Sequence, residues 1–164
     1  MKTWLKVLLV TLVVAIPAMI TGPILWPPPA DLGVAPTAGQ IPFFIFLAVF
    51  EAITLGLGVA FLLFGFAPLG RALGESGWRT WAAYLSIGWF LVSWWPHNNL
   101  HTHNGMDLQG LLYIEYGSHL TLMVAGLVLA YSLMTLLRPG DAGARPGVRS
   151  GGAATAARVS VGPR

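Results

Sequence analysis

The sequence contains no cysteine, which removes thiolate metal sites, iron–sulfur ligation and thiol–disulfide chemistry together. The four-helix enzymes that generate disulfides and pass electrons to quinone are excluded on the same ground. Charge is scarce too: Asp, Glu, Lys and Arg make up 9% of the 164 residues, against 55% hydrophobic ones. So few charges cannot solvate a globule, and a mean hydropathy of +0.70 asks for lipid as the missing solvent. Any redox or metal chemistry falls to His, Asp, Glu, Tyr or a bound cofactor. The formal charge of +3 does not make a nucleic-acid partner, because the basic residues flank apolar runs instead of forming a stripe interleaved with aromatics.

A hydrocarbon core of ~30 Å takes about 20 helical residues, and four apolar runs approach that length. They cover about 7–26, 41–69, 81–95 and 116–137. Pro17 and Pro23 lie in the first and are tolerated where neighbouring groups satisfy the freed carbonyls. Lys2 and Lys6 precede the first run, Arg71 and Arg79 separate the second and third, and the remaining five arginines follow the fourth. The connections 27–40 and 96–115 carry no Lys or Arg. Cations stay on the cytoplasmic side, so both termini are expected there in a multi-pass protein of the cell membrane. Trp26, Trp94, Trp95, Tyr113 and Tyr116 then fall at the outer interface, and Trp4, Trp78 and Trp81 at the inner one, as an aromatic belt requires.

The start of the chain also resembles a secretory signal, with two lysines, an apolar stretch and small residues near Ala15 and Ala18. The apolar run continues to Trp26, longer than the ~7–15 residues of a signal core, so an uncleaved first span is expected. Ala52 with Gly56, Thr54 with Gly58, and Gly126 with Ala130 have the spacing that lets helices approach closely. The expected fold class is therefore all-α: a polytopic four-transmembrane-helix bundle over 1–138, with a short polar outer hairpin between helices three and four. The Gly-, Ala-, Pro- and Arg-rich stretch 139–164 reads as a disordered cytoplasmic tail.

All four histidines fall between His97 and His119, in a stretch that also holds Asp107 and Glu115. His97 and His101 are four residues apart, as are Glu115 and His119, so on helices each pair shares a face, a common chelating arrangement in bundles. Pro96 suits the first turn of a helix, which predicts a short new helix starting there near the membrane surface. Asn104-Gly105 signals a turn, and Asp107 is placed to cap the helix that follows. The hairpin would bring His97, His101 and His103 toward Glu115 and His119. Imidazole plus carboxylate without sulfur suits zinc, copper(II), iron or nickel better than copper(I), with Asn98, Asn99, Thr102 and Gln109 available to orient the rings.

Glu51 lies about ten residues inside the second run, roughly 10–15 Å deep at helical rise. A carboxylate there needs a partner, a proton or an interior position, and His119 is the expected partner across the bundle. Three functional readings stay open. The first is a transition-metal protein with His97, His101, Glu115 and His119 as leading ligands, His103 as a further ligand, and Glu51 as a catalytic proton carrier in redox or hydrolytic chemistry on a lipophilic small molecule. The second is a haem-binding electron carrier. The third is a non-catalytic membrane subunit or proton or ion relay, with a membrane-protein partner or a second copy of itself. No hydrolase, kinase or zinc-protease motif specifies the reaction.

Overall fold

The computed structural model describes residues 2–30, 36–74 and 77–137, and among these every regular element is helical. The expected tail lies outside the described residues. Three helices are long and apolar enough to cross a membrane: α1 (Thr3–Leu25), α2 (Ile41–Phe64) and a continuous run over Leu108–Leu136. Their outer surfaces are apolar, with Val13, Phe43 and Leu127 each more than half exposed. Such a surface suits lipid rather than water and points to membrane insertion.

Two proline residues set where helices break. Pro68 has no N–H to bond the carbonyl of Phe64, and α2 ends at Phe64; the chain bends at Gly65 into the short α3 (Phe66–Leu73). The second apolar run, expected to be one helix to residue 69, is therefore two. Pro96 deprives Val92 of its bond in the same way, and α4 (Trp78–Val92) ends there. After Ser93 the chain resumes as α5 (Trp94–Asn104), with Pro96 at its third position. At ~1.5 Å per residue α4 alone is about 22 Å long, short of a ~30 Å core.

Gly105, with φ of 53°, turns the chain after α5. Asp107 then accepts a hydrogen bond from the Gln109 amide and caps α6 (Leu108–Ile114), the cap expected from the sequence. A wide π-helical segment, Glu115–Leu120, joins α6 to α7 (Thr121–Leu136).

Helix packing follows the order α1, α2, α4, α7. Small residues make the contacts possible. A Cβ added at Gly56 would stand 3.0 Å from the Thr11 Cα, so the backbones of α1 and α2 touch there. Ala15, Ala18 and Ala52 form the buried core beside that crossing, and Trp95 packs on it. Trp89 donates to the Thr121 hydroxyl at 3.0 Å, joining α4 to α7.

The expected surface helix at Pro96 does not lie flat. Trp95 meets the alanines of mid-α1, Asn99 lies against Gly22, and His103 reaches Pro27. Helix α5 therefore packs on α2 and reaches the last third of α1 through its side chains, with Trp26 and Trp95 in a T-shaped contact whose ring centroids are 5.0 Å apart.

Candidate metal centre

The site grows from α5 and the π segment. On α5, His97 and His101 are one turn apart and share a face, and their Nε2 atoms lie 3.1 Å from each other. The π segment brings His119 against them, with its Nε2 2.8 Å from that of His97. Residue 119 thus closes on residue 97 across the turn at Gly105. The ligand nitrogens of His97, His101 and His119 all lie within 4.8 Å of one another, close enough to hold a metal ion. His97 is buried, and the other two rings are partly exposed.

The contacts around the rings bear on which nitrogens carry protons. Glu115 Oε2 meets His119 Nδ1, and in the neutral ring that donates to this carboxylate the Nε2 lone pair is left for the focus. Three Nε2 atoms facing one another is poor hydrogen bonding, because a neutral imidazole has one N–H and one lone pair. A cation at the centre of the three would take all the lone pairs at once. Nitrogens bound at ~2.0–2.1 Å in a tetrahedral shell stand about 3.3 Å apart, so the two pairs at His97, 2.8 and 3.1 Å, require an opening of a few tenths of an ångström, while His101 and His119, within 4.8 Å of each other, have only to stay or close.

One further feature was not legible as part of the site. His97 Nδ1 and Ser93 Oγ are both buried and have no hydrogen-bond partner among the described residues. They are four residues apart at the helix break, where the backbone N–H of His97 donates to the Ser93 carbonyl at 3.0 Å. A metal on His97 Nε2 leaves a proton on Nδ1; Ser93 Oγ, one turn back along the chain, makes no hydrogen bond to it here but is a free hydroxyl that a small side-chain rotation could offer as acceptor.

Not every expected site residue joins this focus. His103 turns away, with Nδ1 2.8 Å from the Pro27 carbonyl oxygen, so it ties α5 to the end of α1 instead of adding a ligand. Glu115, expected among the leading ligands, stands behind His119. Glu51 is buried and its Oε1 accepts from the Asn98 amide; this contact to α5, not one to His119, is what the structure gives it. Asn99 donates to the Trp95 carbonyl at 2.7 Å and Thr102 to the Asn98 carbonyl at 3.0 Å. Glu51 and His101 nonetheless line one cavity between α1, α2 and α5. No protein-family model, curated protein or solved structure matches the chain, so the chemistry rests on this geometry.

Proposed function

We propose that the chain is a four-crossing membrane protein that binds one divalent transition metal on His97, His101 and His119 and uses it for redox or hydrolytic chemistry. The fourth crossing is α4 continued by α5, bent at Ser93. With all nine Lys and Arg residues on the other side, the metal centre faces away from the cytoplasm and both termini face it.

The observation that carries this reading is the convergence of three Nε2 atoms from two segments of chain. Three neutral imidazoles suit zinc, copper(II) or iron, and three protein ligands leave a coordination position open to a small molecule, as in catalytic rather than structural sites. Haem fits less well. Axial nitrogens on opposite faces of a haem iron stand about 4 Å apart, with the ring plane between them. Separations of 2.8 and 3.1 Å leave no room for that plane.

The test is zinc titration of protein purified without a histidine tag and stripped with a chelator. One equivalent is expected to bind. Replacing His97, His101 or His119 by Ala weakens binding roughly 100-fold or more, at ~3 kcal/mol per ligand, while His103→Ala leaves it unchanged. Equal weakening by all four substitutions, or none by any, contradicts the assignment.

A further inference from the structure

The cavity beside the metal centre has a volume of about 300 Å³, room for about ten non-hydrogen atoms at the ~30 Å³ a water-sized group occupies in a liquid. Its walls differ. Met19, Phe44 and Leu47 form an apolar side, and all three are at least 44% exposed on the outside of α1 and α2. In a bilayer that side opens laterally to acyl chains. The polar part of the lining is Glu51, 7% exposed and one turn beyond Leu47 on the same face of α2, with Asn98, Asn99, Thr102 and His101 of α5.

Hydrogen-bond accounting on the polar wall selects the head group. Asn98 already donates to Glu51, Asn99 to the Trp95 carbonyl and Thr102 to the Asn98 carbonyl. What remains is mixed: each Asn amide keeps its second N–H and its carbonyl oxygen, beside the Glu51 carboxyl and a hydroxyl lone pair. Such a wall suits a head that both donates and accepts, as a hydroxyl does. An anionic head would oppose Glu51, and a cationic one would oppose the ion held by His101. We propose that this cavity binds an uncharged amphiphile from the bilayer, its apolar tail along Met19, Phe44 and Leu47 and a hydroxyl head donating to the oxygens around Glu51. The argument for an uncharged head rests on the metal reading above; the argument for a hydroxyl head does not. His101 belongs both to the cavity wall and to the triad, so the cavity adjoins the metal centre and the amphiphile is the ligand placed within its reach.

The probe is radiolabelled 4-decylphenol, measured for saturable binding to the full chain in lipid nanodiscs against protein-free nanodiscs. One site per chain is expected. The methyl ether 4-decylanisole, which lacks the donor, should bind about fivefold more weakly, the value of one ordinary hydrogen bond, and Glu51→Gln should weaken 4-decylphenol by about the same factor. Ala48→Phe fills the cavity from a lipid-exposed position and should abolish saturable binding; Met19→Trp does the same from the facing helix. Equal binding of phenol and ether, or undiminished binding in both filled variants, overturns the proposal. Zinc is counted on the same samples. Protein that holds zinc without saturable 4-decylphenol binding overturns this inference alone, and protein that holds none overturns the metal reading beneath it.

Discussion

The Nε2 atom of His119 lies 2.8 Å from that of His97, although the two rings come from different helices joined through the turn at Gly105. The carboxylate of Glu115 stands behind His119, and the buried Ser93 hydroxyl, one turn from His97, has no partner among the described residues. In metal sites, groups in these positions hold the ring proton on the nitrogen away from the ion.

Ser93→Ala should therefore lower zinc affinity by about tenfold, the lower end of what an orienting partner contributes, with one equivalent still bound. Ser93→Thr keeps the hydroxyl and should bind as the parent does. Zinc titration in the presence of a competing chelator measures both. A Ser93→Ala protein with parental affinity would place the acceptor for His97 elsewhere.

Helix packing gives a contrast between two glycines. Gly56→Ala puts a methyl group against the Thr11 backbone, which cannot move aside, so a cost of about 1–3 kcal/mol and a lower thermal midpoint are expected. Gly126→Ala places its Cβ 3.6 Å from Phe90, an ordinary contact, and should be neutral or slightly stabilising, since Ala is the better helix former. Thermal unfolding in detergent, followed by circular dichroism, distinguishes the two. Equal effects would show that the α1–α2 approach is looser than drawn.

The absence of cysteine makes orientation directly measurable, because a single introduced thiol is the only target in the chain. Gly39→Cys and Met106→Cys should react with a membrane-impermeant maleimide from outside intact cells. Gly77→Cys should react only after the membrane is opened. The reverse pattern would invert the protein and place the histidines in the cytoplasm.

Much of this was readable from residue order alone. Three apolar runs gave three long helices, and the Asp107 cap and the turn at Gly105 followed from local chemistry. The break after Phe64 was readable in principle, since Pro68 sits four residues on, but a hydropathy window averages over it. His103 could have been set aside as well. At ~100° per residue it lies about 120° around α5 from His97, whereas His101 lies only about 40° away. The pairing of Glu51 with Asn98 was not readable: it depends on α5 packing on α2 instead of lying on the surface, and that is decided by Trp95 packing on Ala15, Ala18 and Ala52. The role of Glu115 behind His119 depends on which carboxylate rotamer the π segment allows, which spacing does not specify.

Zinc-edge X-ray absorption of the purified, zinc-loaded protein counts the ligands and identifies their type. Three imidazole nitrogens at ~2.0–2.1 Å, with one further light-atom ligand, are expected for the parent, and two imidazoles for His119→Ala. A parent spectrum with one imidazole or none, or one that His119→Ala leaves unaltered, would contradict a metal centre at these three histidines.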